Sequence, residues 1–440
     1  MDMALDTVFK SIDRNFWSRG IETATRPPVD RELHCDFLVI GGGMAGLSTA
    51  LHLKKRLPGD RVALLEGGKI GDGSSGSNSG QCGARIGPAI ENQVKSLGEE
   101  AAATIYRYSL DAMEYAASLV KELGIQCDLR PGRQWQVALT PKYARTLARR
   151  SSLYRSLSFD VPLIEQREVR EIFPESDRIV NAIEFPAYTL DPYRLCAGLK
   201  RAVLEAGVDL YENSRVVSGT NGFRANGYPL HYRHAVLAVD SGASRLSAHT
   251  ASVLPIAVFA GVTRPLNREE KQRFLGLHDR GLFDARPVFN FLRLINGERI
   301  LIGGEYRYTG SGLINPRQLE IHGERLRQQL ALFFPSARAI PLEYRWYGVA
   351  GCTLDEWPAI GPLPSNPACW YAGAWNGHGI AASLISGYEV ARVIVDEKLT
   401  PRLPWYRSSA PGLGHPIVAR ATLPGYLAWL RARGWLTRHN

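Results

Sequence analysis

At 440 residues the chain is too long for one small domain and suits two interleaved ones. Its 45% hydrophobic and 22% charged residues are those of a globular enzyme rather than a disordered chain, and no apolar run reaches the roughly 18–20 residues that a bilayer span needs. The formal charge of +10 is concentrated: residues 401–440 carry Arg402, Arg407, Arg420, Arg431, Arg433 and Arg438 and no acid, so +6 of it lies there. Residues 1–31 lack the apolar core of a secretion signal, which gives a cytoplasmic expectation. The six cysteines (Cys35, Cys82, Cys127, Cys196, Cys352, Cys369) form no C-x-x-C pair and have no histidine at ligand spacing. Free, mostly buried thiols and no metal site are expected.

Residues 36–40 (Asp-Phe-Leu-Val-Ile) form a continuous apolar run that ends abruptly in glycine, the pattern of a strand buried on both faces. Residues 47–57 take helical spacing and stop at Pro58-Gly59, and 61–65 give a second apolar strand ending at Glu66. Such a β-α-β unit requires a parallel sheet. A glycine- and serine-rich loop covers 67–87. The spacing then predicts a long helix over 99–123, with Ile105, Ala112, Met113, Ala116, Leu119, Val120 and Leu123 on one face and Gly124 as its stop. Residues 191–206 read as a further helix, and 208–211 and 235–239 as short strands. Between 251 and 305 the pattern turns β-rich, with strands at 253–262, 288–294 and 299–302, the last after an Asn296-Gly297 turn. Residues 367–395 return to strand, glycine turn and helix. Residues 423–438 set Tyr426, Leu427, Trp429 and Leu430 among arginines. That is a short amphipathic helix, either packed on its own domain with arginines in water or touching an anionic membrane surface.

Residues 41–46 (Gly-Gly-Gly-Met-Ala-Gly) fit G-x-G-x-x-G between a buried strand and a helix. Gly41 permits the tight turn, Gly43 lets backbone approach a pyrophosphate, and Gly46 lets the helix pack on the strand. The helix N-terminus, at Met44 and Ala45, then faces the phosphates with unpaired N–H groups. Glu66 lies twenty residues after Gly46, at the end of the next strand, where a carboxylate accepts from ribose hydroxyls. An acid there argues against a 2′-phosphate and so against NADP. The motif alone does not separate FAD from NAD.

The loop that follows, residues 71–81 (G-D-G-S-S-G-S-N-S-G-Q), resembles the G-x-S-x-x-N-x-G-x loop of FAD amine oxidases of the D-amino-acid oxidase family, the glycine, sarcosine and γ-glutamylputrescine oxidase group. Residues 348–361 (G-V-A-G-C-T-L-D-E-W-P-A-I-G) resemble that family's G-x-T-x-D-x-x-P-x-I-G stretch, and 371–380 (Y-A-G-A-W-N-G-H-G-I) its Y-x-x-G-x-x-G-H-G turn. Asn15-Phe16-Trp17 and the basic tail are similar to the γ-glutamylputrescine oxidase branch. The resemblance covers nearly the whole chain. It implies an α/β fold: a Rossmann-like FAD-binding domain with a parallel sheet, plus an inserted β-rich substrate domain of α+β type. The expected organisation is an N-terminal extension at 1–32, an FAD-binding domain from 33–85, 187–250 and 345–400, a substrate domain from 86–186 and 251–344, and a basic tail at 401–440. The resemblance places Gly67, Ser74, Ser75, Asn78, Ser79, Gly80 and Gln81 along the pyrophosphate and ring edge, and Val216 at adenine. Gly348, Gly373, Asn376, Gly377, His378, Gly379 and Ile380 fall at the ring, where the N-terminus of the following helix stabilises charge on the reduced flavin.

Three departures matter. Gly348 stands where some relatives carry a flavin-linked cysteine, so non-covalent FAD is expected. Ala381 replaces a lysine of sarcosine oxidases, and Phe291 stands where relatives often have a substrate-facing tyrosine.

The expected reaction is oxidation of a C–N bond in a small amine or amino-acid derivative. The α-hydrogen leaves as hydride to flavin N5 from a neutral amine, giving an imine that hydrolyses, with oxygen as acceptor. The candidates around the reacting atoms are His378, Arg85 and Phe291. His378 either polarises the flavin or is held in the turn by backbone bonds, and Arg85 either binds a substrate carboxylate or forms a structural salt bridge. Arg293 reads as structural, and Trp135, Trp346 and Trp375 as core. Three alternatives stay open: a membrane-surface dehydrogenase passing electrons to a quinone, amine oxidation on modified tRNA, and a non-catalytic partner in a larger amine dehydrogenase. Nucleic acid is not the favoured partner.

Overall fold

The computed structural model describes residues 15–219, 222–310, 314–396, 403–411, 422–430 and 432. A six-stranded sheet runs in the order Ala359–Leu363, Asn366–Gly373, His234–Leu237, Phe37–Ile40, Val62–Leu65, Asp209–Tyr211. Its last five strands are mutually parallel, and Ala359–Leu363 is an antiparallel edge. Every residue of Phe37–Ile40 and Val62–Leu65 is buried, as two-sided cover of a parallel sheet requires. The strand expected at 61–65 forms at Val62–Leu65 and the helix expected at 47–57 at Met44–Arg56, which starts directly after Gly43.

The helices Met44–Arg56 and Gly379–Asp396 lie against each other. Their closest approach needs small residues: a Cβ on Gly387 would stand 2.7 Å from Ala45 O, and Ser48 Oγ donates to Leu384 O at 2.6 Å. Helix Glu99–Glu122 packs on the pair, with Tyr108 Oη donating to Glu389 at 2.7 Å. It ends at Leu123 and a left-handed Gly124 (φ +58°). The strand C-termini at 40, 237 and 373 therefore open onto one crevice, the usual ligand position in an open α/β sheet.

The second layer is a nine-stranded mixed sheet, with one path running Leu342–Cys352, Leu254–Thr263, Arg299–Tyr308, Phe291–Ile295, Arg280–Asp284, Arg130–Ala138, Asn181–Thr189, Gln81–Gly83, and Leu163–Glu165 pairing off it. Helix Pro316–Phe333 covers one face through Leu326, Leu330 and Phe333. The strand expected at 288–294 begins only at Phe291, because Asn290 N donates to the Asp284 carboxylate at 2.9 Å and holds 285–290 as a loop. Asn296 and Gly297 are both left-handed (φ +51° and +67°), as a tight hairpin demands.

The C-terminal segment is partly integrated. Trp405 is buried against Trp357, Ile360 N donates to Trp405 O at 2.8 Å, and Arg407 pairs with Asp355. Residues 422–430 form a helix whose Leu423 and Leu427 pack on Leu254, Ile256, Tyr306, Tyr308 and Cys352. Arg402, Arg420, Arg431, Arg433 and Arg438 lie outside the described residues. None of the helices among the described residues is long and apolar enough to cross a membrane.

Candidate dinucleotide and substrate site

The glycine turn is closed by backbone at Gly41 and Gly46 and by side chains at Gly42 and Gly43. Gly41 is left-handed (φ +109°), and a Cβ there would meet Ala238 O at 2.4 Å. A Cβ on Gly46 would lie 1.9 Å from Gly41 O, so only glycine allows the helix to start this close to the strand. At Gly43, which precedes the helix, a Cβ would come within 2.9 Å of Ser75 Oγ, and Met44 N donates to that hydroxyl at 3.1 Å. Ala45 is buried behind it. Glu66 accepts from Gly42 N at 2.7 Å and Gly68 N at 2.8 Å. Its carboxylate holds the glycine turn and the Gly67 bend together, and its remaining lone pairs are those a ribose would use. Burial raises its pKa, and the two N–H bonds oppose that rise. Gly67 adjoins Arg215, and the neighbouring Val216, on strand Val216–Gly219, packs with the cluster of Leu38 and Leu65.

The 71–81 loop contains a single helical turn, Ser74–Ser77. Asn78 closes it: Nδ2 donates to Ser74 O and Ser75 O at 3.1 and 2.8 Å, and Oδ1 accepts from Gly80 N at 2.9 Å. Two indoles pin the turn from behind, Trp17 donating to Asn78 O at 2.9 Å and Trp346 to Ser77 O at 2.8 Å. Ser74 Oγ donates to Val349 O at 2.7 Å, beside Gly348. Ser79 Oγ accepts weakly from Gln81 N at 3.4 Å. Gln81 accepts from Gln134, while its own Nε2 is buried without a partner. Arg293 is buried, donates to Leu190 O at 2.9 Å and stands over the Trp17 ring. That is the structural role its position suggested. Trp135 and Trp346 are core residues, and Trp375 is partly buried.

Strand Asn366–Gly373 leads into a strained turn in which Ala374, Asn376 and Gly377 are all left-handed (φ +60°, +53° and +81°). Asn376 ties it to the 348–353 stretch: its N donates to Gly351 O at 3.0 Å, and its Oδ1 accepts from Thr353 N at 2.8 Å. Helix Gly379–Asp396 starts there, with Ile380 buried beneath its first turn. A helix start leaves N–H groups facing outward, ready for an electron-rich ring edge.

His378 and Arg85 come together at this turn. His378 N donates to Trp375 O at 3.0 Å, and its Nδ1 is buried without a partner. Burial, then the nearby positive Arg85, hold its pKa well below the ordinary value of 6.5, so the ring is neutral. An unfolded chain takes up a proton below that value and the native one does not. Stability contributed here is complete above pH 6.5 and is lost as pH falls below it. A His378→Gln variant should therefore show a flatter melting temperature against pH on the acid side of 6.5 than wild type, measured by thermal unfolding.

Among the described residues Arg85 has one ion pair, a long one of 3.6 Å to a half-exposed Glu356. Burial lowers its pKa, opposed by Glu356. Tyr306 lies within electrostatic reach of both Arg85 and Cys352, and burial raises its pKa well above the ordinary range. Phe291 is more distant: its ring lies over Gly303 in the cluster of Trp17 and Trp346, and reaches Tyr306 only through Phe289. The sequence reading missed Tyr306, Glu356, Trp17 as a clamp, and Asp240. Asp240 is the residue whose Oδ2 accepts from Gly351 N at 2.6 Å and whose Oδ1 accepts from Ala374 N at 2.8 Å. Its only local signal is its place just after a parallel strand. For a metal, the described residues bring together one exposed group, Glu32, His34 and His231, with the two imidazoles stacked at 4.4 Å. It lies at a separate small sheet of strands Leu33–His34, Tyr228–His231, Gly222–Ala225 and Val216–Gly219, and not at the crevice.

The cradle of glycines, the outward-facing helix start and the partnerless His378 Nδ1 suit a flat dinucleotide cofactor, and comparison with known proteins agrees. Residues 36–393 match the family described as FAD dependent oxidoreductase (DAO). The chain is 27% identical over 378 residues to gamma-glutamylputrescine oxidoreductase of Escherichia coli K12, covering 83% of this chain and 85% of that one. It is 24% identical over 387 residues to the probable oxidoreductase OrdL of Haemophilus influenzae, covering 85% and 86%. The crystal structure of glycine oxidase from Geobacillus kaustophilus shares the fold, with a TM-score of 0.69 at 22% identity over 86% of this chain and 99% of that one. The chain belongs to the DAO family of FAD-dependent oxidoreductases.

Proposed function

We propose that this enzyme oxidises the C–N bond of a small amine that also carries a carboxylate, with oxygen as the electron acceptor. The observation that carries this reading is Arg85, a partly buried guanidinium beside a neutral His378 whose single ion pair is long and made to a half-exposed acid. A desolvated cation so weakly paired favours an anionic ligand group, and a guanidinium takes a carboxylate bidentately. Bound FAD would supply the two-electron oxidant, held by the 41–46 turn, Glu66, the 74–81 loop, and the 348–353 and 373–380 stretches. The neutral imidazole of His378 adds no second positive charge beside Arg85 and leaves a ring nitrogen able to exchange a hydrogen bond at the ring edge. Tyr306, within electrostatic reach of Arg85 and in ring contact with Phe289, offers aromatic surface that would exclude water from a neutral amine. Non-covalent attachment is part of this reading: Gly348 has no side chain to offer, and burial pushes the Cys352 thiol up, which keeps it protonated and unreactive. The relatives act on γ-glutamylputrescine and on glycine by their names, and both molecules carry an amine and a carboxylate.

Oxygen uptake tests this directly, using matched amines with and without a carboxylate. Uptake with the carboxylate-bearing members alone is expected. Equal rates with the decarboxylated members would sink the substrate class.

A second reading has its own observation. Tyr426 and Trp429 are each 51% exposed and stack at 5.9 Å on the 422–430 helix, which is anchored from its other side by Leu423 and Leu427. Paired interfacial aromatics in an arginine-rich segment suit an anionic membrane surface, and electrons would then pass to a membrane acceptor. Arg407, spent on Asp355, takes no part. Salt-sensitive sedimentation with phosphatidylglycerol vesicles supports this reading, and its absence returns the helix to a purely packing role.

A further inference from the structure

Asp240 follows strand His234–Leu237 and is itself left-handed (φ +44°), a conformation unusual for a residue with a Cβ. Among the described residues its carboxylate has no ion pair; it accepts from backbone N–H groups. Oδ2 takes Gly351 N at 2.6 Å, while Oδ1 takes Ala374 N at 2.8 Å and Trp375 N at 3.3 Å. The fit is tight, since a Cβ on Gly351 would lie 2.6 Å from Oδ1. Its main-chain carbonyl accepts from Tyr371 Oη at 3.3 Å. The Gly351 peptide is gripped from both ends, because Gly351 O accepts from Asn376 N at 3.0 Å. One carboxylate thus joins two segments that are more than a hundred residues away in sequence and adjoin only in the fold.

We propose that Asp240 is the positioning residue for the flavin ring, its carboxylate acting as a single bracket that holds the 348–353 and 373–379 stretches in register with each other. The inference rests on the flavin-site reading given above. Asp240 does not touch the ring; it acts through backbone. The turn it holds is otherwise unfavourable, since a left-handed backbone is strained at a non-glycine residue such as Ala374. Two hydrogen bonds on the Ala374 and Trp375 amides offset that cost and aim the following His378 and helix start. An asparagine cannot substitute. Its single oxygen serves one of the two stretches, and its amide then turns N–H groups toward N–H groups on the other.

The test uses FAD titration of the full chain. In Asp240→Asn, FAD affinity should fall tenfold or more, with the bound flavin's visible bands broadened as the ring becomes wetter, while far-ultraviolet circular dichroism stays as in wild type. Adding Ala374→Gly, which takes the left-handed turn without strain, should restore part of that affinity; a generally damaged fold would not respond to it. Wild-type affinity and bands in Asp240→Asn would overturn the proposal. If that variant does not fold, amide exchange on the wild-type apoprotein decides instead. The amides of Gly351 and Ala374 should be protected before FAD is added, and those of Gly377 and Gly379 only afterwards. Fast exchange at Gly351 and Ala374 in the apoprotein would overturn the bracket. A wild-type chain that takes FAD without new protection at 377–380 would instead sink the flavin placement, which separates the two failures.

Discussion

A Gly46→Val variant is expected to be purified without flavin and to bind added FAD about 100-fold more weakly than wild type. The cause is steric and involves backbone on both sides. The new Cβ would stand 1.9 Å from Gly41 O, and Gly41 is itself pressed against Ala238 O. No side-chain rotation relieves the clash, so the helix must retreat from the strand and carry its first turn away from the phosphate position. Overpacking of this kind costs about 1–3 kcal/mol, and here it falls on the geometry of the cofactor turn. Gly59→Ala is the matched control, because nothing lies within 4 Å of a Cβ there and its φ is ordinary. It should keep its full complement of flavin. A Gly46→Val protein that retains its flavin would show that the 41–46 turn is not the pyrophosphate site.

The second large effect is expected at Arg85. Arg85→Met should lower kcat/KM for a carboxylate-bearing amine by about 10- to 100-fold, mainly through KM, since a charge-assisted hydrogen bond is worth about 1.5–3 kcal/mol. The melting temperature of the apoprotein should hold or rise. That second readout separates the two roles open to this residue. A structural salt bridge loses stability when one partner is removed, whereas a partly buried cation with one 3.6 Å partner loses little to an apolar side chain of similar volume. Steady-state kinetics with thermal unfolding of the same preparation reads both. A large drop in melting temperature with unchanged KM would make Arg85 a structural residue.

The parts of the fold that were readable in the sequence are those whose signals are local. Residues 36–66 announce themselves because a strand buried on both faces is wholly apolar and glycine punctuates its end. Helix Glu99–Glu122 was equally clear, since its buried face recurs at helical spacing and Gly124 stops it. Strands Arg130–Ala138 and Asn181–Thr189 were not. The first opens Arg-Pro-Gly-Arg, the second contains Pro186, and neither alternates cleanly, because their register depends on pairing with each other. At the site, the glycine motifs were legible because each glycine answers a nearby backbone contact. Asp240 was invisible for the opposite reason: its partners Gly351 and Ala374 meet it only through the topology of the sheet. Tyr306 is a partly exposed residue in a β-rich stretch, and nothing in its neighbours hints that Arg85 will face it. The C-terminal arginines misled in a further way. Counted as one basic tail they suggest a surface, yet Arg407 is absorbed by Asp355, fifty-two residues earlier, and helps hold segment 403–411 on the domain.

The most direct test of the account is anaerobic reduction of the FAD-loaded enzyme, followed by the flavin's visible absorbance as amines are added. The account predicts that a carboxylate-bearing amine bleaches the band in wild type, that admitting oxygen restores it, and that Arg85→Met bleaches only at much higher amine concentration. An FAD-loaded protein that no such amine bleaches, under conditions where a chemical reductant does, would contradict it.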